Sequence, residues 1–436
     1  MSIDVIIADD SSYLRKNIAQ ILKGHDLINI LEYAKDGEEA VKFVKKYSPD
    51  VLVLDLLMPK MNGLDAFKMI MEERPTPTVI LSAISPKNLD SSIQALLMGA
   101  FDYIIKPGGI GAKDLPKFRE ELLSKVLLAS QSQIKRIFKT ENEEYKKTIS
   151  LRQEIIDEIF EFGRYLNTLT PIQESEEDQQ TINIGKTKNR ENKISSNLGK
   201  LKNQELKTPR FKQSEEQKKP DYQIKTSKKS SYSPDLTPIK GVSLTSNLIV
   251  IGASVGGPRT ITSILKALPN KFPSPILIVQ HLSAHFTEAF VDNLNLECEL
   301  DIKVASDGEF IRNGTVYIAP GDNHMEITTK NNNPCIKIYK GDPINYCIPS
   351  IDILFFSAAK IYRNRTMGIL LTGMGSDGVE GLGAIQKLGG KTIAESEETS
   401  ILFAMPKFAV EKGFANLVLP NYQIQEELLK FSKNIK

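Results

Sequence analysis

Leu248-Ile249-Val250-Ile251-Gly252-Ala253-Ser254-Val255-Gly256-Gly257-Pro258 decides how the second half of the chain folds. Its four leading apolar residues, mostly β-branched, predict a strand buried on both faces. Pro258 suits the first turn of a helix, where its missing N–H costs nothing. Ser254 then lies in the turn between strand and helix, where unpaired helix N–H groups face any negative charge that develops beside its hydroxyl. Three readings compete. Gly252-x-Ser254-x-x-Gly257 lacks the middle glycine that lets a backbone approach a pyrophosphate, and no acidic residue ends the next strand, which weakens a dinucleotide loop. Gly252 to Gly256 satisfies the G-x-S-x-G nucleophile elbow, while a tight turn with a capping serine is the plainest account. The choice turns on whether distant residues complete a catalytic set.

Working outward, Pro275-Ile276-Leu277-Ile278-Val279-Gln280 reads as the next strand and ends at His281. A parallel βαβ unit puts that end on the same sheet edge as Ser254. Of the four histidines, His25 falls in the first half, His285 follows His281 by one helical turn, and His324 follows a Pro-Gly turn and reads as structural. Met367-Gly368-Ile369-Leu370-Leu371-Thr372 is a third strand, followed by Gly373-Met374-Gly375-Ser376-Asp377-Gly378 and a helix over about 379–388. An aspartate before a helix is usually a cap. Taken with the other two loops, Asp377 is expected to orient the His281 imidazole through Nδ1–H, with Ser254 as nucleophile and His281 as base. The backbone N–H groups of Val255 and Met374 are the candidate oxyanion donors. The order Ser, His, Asp disfavours an ordinary α/β-hydrolase, in which the acid precedes the histidine.

The first 130 residues alternate strand-like and helix-period runs, predicting a small doubly wound α/β domain with five parallel strands. The runs are Val5-Ile6-Ile7-Ala8, Ile28-Asn29-Ile30-Leu31, Val51-Leu52-Val53-Leu54, Val79-Ile80-Leu81 and Tyr103-Ile104-Ile105. Polar residues follow them: Asp9 and Asp10, then Asp55, Ser82 and Lys106. Carboxylates gathered at the ligand edge of such a sheet repel one another, and a hard cation with oxygen ligands, Mg²⁺, relieves this. Asp55 is then a candidate phosphoryl acceptor, with Lys106 neutralising the transferred oxygens and Ser82 hydrogen-bonding the phosphate. Singly, Asp9 or Asp10 is better read as a cap for the helix near Ser12.

The chain has 436 residues, a net charge of +2 and three cysteines. That length implies two domains, and near-neutral charge gives no reason to expect nucleic acid. Cys298, Cys335 and Cys347 lack C-x-x-C spacing, which fits reduced thiols better than a disulfide framework or a zinc site. Without a leader-like N-terminus or a bilayer-length apolar run, an intracellular protein with no membrane insertion is expected. Leu115, Phe118, Leu122, Leu123, Val126 and Leu127 predict a helix over about 113–137 that runs on outward, and residues 141–168 read as helical too. Residues 170–242 are rich in Lys, Gln, Glu, Asn and Ser, too poor in apolar groups to offset ordering entropy, and read as a disordered linker.

Asp9-Asp10, Asp55-Leu56-Leu57-Met58-Pro59, Asn62-Gly63-Leu64, Ser82-Ala83 and Lys106-Pro107 resemble a response-regulator receiver domain in order and spacing. The resemblance implies phosphorylation of Asp55 by a histidine kinase, Mg²⁺ bound with help from the Leu57 carbonyl, and Tyr103 at the aromatic switch position. The second half resembles the catalytic domain of chemotaxis protein-glutamate methylesterases. Its motifs include Gly252-x-Ser254-x-Gly256-Gly257-Pro258, Val279-Gln280-His281, Tyr317-Ile318-Ala319-Pro320-Gly321-Asp322-x-His324, Pro349-Ser350-x-Asp352 and Thr372-Gly373-Met374-Gly375-x-Asp377-Gly378. That likeness implies a doubly wound parallel sheet, hydrolysis of glutamyl methyl esters on chemoreceptors, deamidation of selected glutamines there, and no cofactor for the esterase step. A cytoplasmic monomer is expected, with a receiver over 1–130, a helical extension over 131–169, the linker over 170–242 and the methylesterase domain over 243–436. The connector is longer than is typical of the family.

Overall fold

The computed structural model describes residues 2–83, 86–107, 115–138, 234–239 and 241–433. Its first sheet contains β1 (Ile3–Ala8), β2 (Ile28–Ala34), β3 (Val51–Asp55), β4 (Thr78–Ser82) and β5 (Asp102–Ile105). The strands run parallel in the order β2-β1-β3-β4-β5. The helices are α1 (Ser12–Leu22), α2 (Gly37–Tyr47), α3 (Gly63–Glu73), α4 (Pro86–Leu97) and α5 (Leu115–Ala129). Ser11, Asp36 and Asn62 begin the first three helices by accepting from backbone N–H groups with their side chains. All five residues of β3 are buried, as a central parallel strand covered on both faces requires.

The helix predicted over 113–137 is interrupted. It stops at Ala129 and helical structure resumes at 134–138. The Gln133 N–H, which an unbroken helix would use internally, instead donates to Ile401 O at 3.0 Å, and Arg136 donates to Glu397 O at 2.5 Å. Bonds to the second domain have replaced continuation of the helix, a choice periodicity cannot register. Residues 139–169 of the expected extension and 170–233 of the expected linker lie outside the described residues. Residues 234–239 run beside the helix Ile351–Tyr362, where Ile239 N donates to Lys360 O at 3.4 Å.

The second sheet is built from β6 (Leu248–Ala253), β7 (Ile276–Gln280), β8 (Asp301–Val304), β9 (Thr315–Ile318), β12 (Thr366–Leu370), β13 (Lys391–Glu395) and β14 (Leu417–Leu419). Seven parallel strands lie in the order β14-β13-β12-β6-β7-β9-β8, and an antiparallel hairpin, β10 (His324–Lys330) with β11 (Asn333–Tyr339), stands apart. The helices are α6 (Gly257–Lys266), α7 (Ala284–Glu297), α8 (Ile351–Tyr362), α9 (Val379–Lys387), α10 (Met405–Glu411) and α11 (Asn421–Lys433). Strand alternation divides β6 between two cores: Ile249 and Ile251 join one face, Leu248 and Val250 the other. Strand order reverses beside β6, since the chain leaves toward β7 and returns to β12 on the other side. The helices that follow β6 and β12 accordingly pack on opposite faces of the sheet, the arrangement that marks a ligand edge at the carboxyl ends of the strands.

Candidate active site

Parallel register aligns Ala253 with Gln280, so Ser254 and His281 are the next residues on adjacent strand ends. His281 N donates to Ala253 O at 3.0 Å, and the Gln280 side chain donates to Ser254 O at 2.9 Å. From the other side, Ser254 N donates to Thr372 O at 3.0 Å. Two glycines permit this convergence. Gly256 has φ 76°, a left-handed conformation that turns the chain into α6, and a Cβ on Gly373 would lie 2.6 Å from the Ser254 Cβ.

Asp377 reaches the imidazole, but through the other nitrogen from the one expected. His281 Nε2 lies 3.0 Å from Asp377 Oδ2, while Nδ1 faces Cys347 Sγ at 3.7 Å. Asp377 is nearly fully buried and surrounded by donors. Ile351 N donates to Oδ2 at 2.6 Å, and Ser350 Oγ to Oδ1 at 2.8 Å; Asp352 N and Asn345 Nδ2 both approach Oδ1 at 3.3 Å. Burial opposes the carboxylate, yet these donors and His281 hold its pKa below the usual range. Burial also resists the imidazolium, but Cys347 and Asp377 together raise the His281 pKa. Asp352, buried beside Asp377, is pushed up to about 7, first by burial and then by its neighbour's charge.

No hydrogen bond joins Ser254 to His281 among the described residues; the serine is half-buried at the site. Val255 N and Met374 N also make no hydrogen bond among those residues, leaving both candidate oxyanion donors uncommitted. His324 is buried and satisfied, receiving the Ser350 N–H at Nδ1 (3.2 Å) with Nε2 3.0 Å from Asp342 O. His285 is exposed on α7. Asn345 and the buried Glu395 carry no sequence signal, and Cys347 reads from sequence only as one of three reduced thiols. Ser350 and Asp352 did appear within a motif, without a role. Glu395 accepts from Thr372 N at 2.8 Å and Thr399 Oγ1 at 2.8 Å, and burial lifts its pKa to about 7 against those bonds.

At the receiver's strand ends, Lys106 Nζ lies 2.8 Å from Asp9 and 2.7 Å from Asp55. Burial raises the Asp55 pKa despite that ammonium. Asp9, Asp10 and Asp55 offer oxygens within 4.8 Å of one another, an all-oxygen set that fits a hard divalent cation. Leu57 is exposed and donates its N–H to Asp55 at 3.2 Å. Ser92 Oγ donates to Ser82 Oγ at 2.9 Å. Tyr103 is buried against the second domain: its ring centroid lies 3.9 Å from that of Phe286, and its hydroxyl receives Ser283 N at 3.2 Å. The ring thus contacts the start of α7, just beyond His281.

Fold and site together define a two-domain α/β protein, one sheet presenting an aspartate–lysine pocket and the other a serine beside a His–Asp pair. Residues 249–428 match the CheB methylesterase family and residues 5–115 the response regulator receiver domain. The protein-glutamate methylesterase/protein-glutamine glutaminase of Methanococcus maripaludis is 32% identical over 434 residues, covering 99% of each chain. The protein of that name from Caldanaerobacter subterraneus is 32% identical, covering 98% of this chain and 96% of its own. The crystal structure of the Thermotoga maritima CheB methylesterase catalytic domain is 42% identical, covering 43% of this chain and 99% of its own with a TM-score of 0.42. The chain belongs to the protein-glutamate methylesterase/protein-glutamine glutaminase family, and is a hydrolase with an N-terminal receiver domain. No helix among the described residues is long and apolar enough to cross a membrane.

Proposed function

We propose that Ser254, His281 and Asp377 hydrolyse glutamyl methyl esters, and deamidate glutamines, on the cytoplasmic helices of chemoreceptors. The observation that supports this reading is the β6–β7 register, which makes Ser254 and His281 the next residues on neighbouring strand ends, together with the 3.0 Å separation of His281 Nε2 from Asp377 Oδ2. Asp377 accepts the Nε2 proton, which makes Nδ1 the nitrogen that acts as base once Cys347 Sγ, 3.7 Å away, gives way to the serine hydroxyl. Nδ1 takes the serine proton as Oγ attacks the glutamyl carbonyl, and Val255 N–H and Met374 N–H receive the oxyanion. The imidazolium returns its proton to departing methanol or ammonia. Water, deprotonated by the same nitrogen, then releases glutamate from Ser254.

A second reading has a specific observation behind it, since Cys347 Sγ lies 3.7 Å from Nδ1 and could serve as the nucleophile. Oxyanion donors favour the serine. Ser254 has Val255 N–H beside it at the start of α6, whereas the first N–H groups of α8 near Cys347 are already taken by Asp377. Methanol release from methylated receptor separates the two. Ser254→Ala should abolish it with receiver phosphorylation intact, and turnover surviving in that variant but not in Cys347→Ser would transfer the role to the cysteine.

The receiver reading extends this proposal. A histidine kinase phosphorylates Asp55, and Asp9, Asp10, Asp55 and the Leu57 carbonyl would hold Mg²⁺, which would supply positive charge to the phosphoryl oxygens. Lys106 and Ser82 bind the resulting phosphate, and Tyr103 transmits its presence through Ser283 and Phe286. The working boundaries are a receiver over 1–130 and a catalytic domain over 243–436, acting as a cytoplasmic monomer. Comparing methanol release by the full chain with and without a phosphodonor tests this control; an unchanged rate would remove it.

A further inference from the structure

Cys347 is held where a chemically inert thiol has no need to be. It closes a two-residue turn, with Ile344 N donating to Cys347 O at 3.2 Å and Cys347 N to Ile344 O at 2.9 Å. The central residues Asn345 and Tyr346 sit at φ 50° and 67°, a left-handed pair that hairpin turns usually assign to Asn-Gly. A tyrosine in that conformation is strained and persists only where its surroundings determine it. Here the Asn345 side chain ties the turn to Asp352 at 2.8 Å and to Asp377 at 3.3 Å. The carboxylate that orients His281 therefore also fixes the loop carrying the thiol.

The separation between sulfur and nitrogen carries the next step. A tetrahedral zinc ion bound to one thiolate and one imidazole holds the two donor atoms about 3.6 Å apart, given typical Zn–S and Zn–N lengths. Cys347 Sγ and His281 Nδ1 are 3.7 Å apart. His281, Cys347 and Asp377 together form a group whose ligand atoms lie within 4.8 Å of one another. Asp377 has its oxygens occupied by backbone and side-chain donors, so its place is behind the ring, accepting the Nε2 proton as the supporting carboxylate of a metal-bound histidine does. Cys347 is partly exposed, which gives the ion a way in.

We propose that Cys347 Sγ and His281 Nδ1 form a two-point site for a thiophilic divalent cation, Zn²⁺, which stops hydrolysis by capping the nitrogen that acts as base. Binding releases the thiol proton to solvent, and water completes the coordination. Two protein ligands make this an inhibitory site that fills and empties, unlike a closed structural one. The inhibitory half rests on the catalytic role given to His281.

The test uses the metal-stripped full chain. Co²⁺ serves as a spectroscopic probe, because thiolate ligation gives a near-ultraviolet charge-transfer band that the receiver's oxygen ligands cannot produce. The band should form in the wild type and in Ser254→Ala, and vanish in Cys347→Ser, which keeps Cys298 and Cys335. In parallel, Zn²⁺ should inhibit methanol release by the wild type, with at least about tenfold more needed in Cys347→Ser. Absence of the Cys347-dependent band, or equal zinc sensitivity in both proteins, overturns the site. A band without inhibition overturns the inhibitory half. The Ser254→Ala spectrum needs no turnover, so a failed nucleophile assignment would be seen separately.

Discussion

In the receiver, Lys106 places one ammonium between Asp9 and Asp55, so two buried carboxylates share a cation from the same sheet edge. In the hydrolase domain, Asp377 is as deeply buried, yet its oxygens are held by backbone N–H groups, a serine, an asparagine and an imidazole whose other nitrogen faces the Cys347 sulfur. Both sites sit where parallel strands end. The receiver pocket answers charge with charge and is suited to exchanging cations and phosphoryl oxygens. The hydrolase site answers charge with neutral donors, which leaves its imidazole free to move a proton. Glu395 is bonded by neutral Thr372 N–H and Thr399 Oγ1 donors, and burial lifts its pKa to about 7 against those bonds and the charge of Arg259.

That contrast can be broken at several points. The largest effect should come from Asp377→Asn, which keeps the shape but loses the acceptor that fixes the imidazole tautomer. We expect the rate of methanol release to fall by about 10³–10⁴-fold, with receiver phosphorylation unaffected. A loss below tenfold would show that the neutral donor cage does not control His281. Lys106→Met strands the two receiver carboxylates. Urea unfolding in metal-free buffer should report a receiver destabilised by about 3 kcal/mol, and Mg²⁺ should restore part of it. Equal stability to the wild type would mean that the ammonium is not what neutralises the pocket.

Glu395→Gln sharpens the comparison through pH. Because the folded-state pKa lies above the unfolded value, the folded chain keeps a proton that the unfolded chain gives up. The stability contributed by the neutral acid is present below the unfolded pKa of roughly 4.5 and is lost as pH rises to about 7. The stability difference between wild type and Glu395→Gln should therefore move by on the order of 2–3 kcal/mol across that window, in favour of glutamine at the upper end. A pH-independent difference would contradict this. Tyr103→Phe should give the smallest change. It removes the hydroxyl that meets Ser283 N at 3.2 Å and so loosens the receiver against α7. The change in methanol release caused by a phosphodonor should then weaken roughly fivefold, from the loss of about 1 kcal/mol; an unchanged response would remove Tyr103 from the coupling.

Strand runs, turn glycines and the aspartate–lysine set at the ends of β1, β3 and β5 were legible along the chain because each depends on neighbouring residues or on one sheet edge. Ser254 and His281 could be paired for the same reason: a βαβ unit has one dominant hand, so its loops share an edge. The helix break after Ala129 was not legible, because the bond that ends it reaches residue 401. Nor was the β10–β11 hairpin, whose strands lie outside the main sheet. Nor could cysteine spacing show that Cys347 meets His281, whose position lies 66 residues away along the chain.

By itself, then, the amino-acid order determined two parallel α/β domains, their ligand edges and the residue types gathered there, since periodicity and strand handedness act over short stretches. Only the tertiary structure decided which imidazole nitrogen meets Asp377, which faces a sulfur, and how Tyr103 touches the neighbouring helix. Ring orientation and thiol placement follow from packing between distant loops, and their few ångströms of reach leave no periodic trace in the chain.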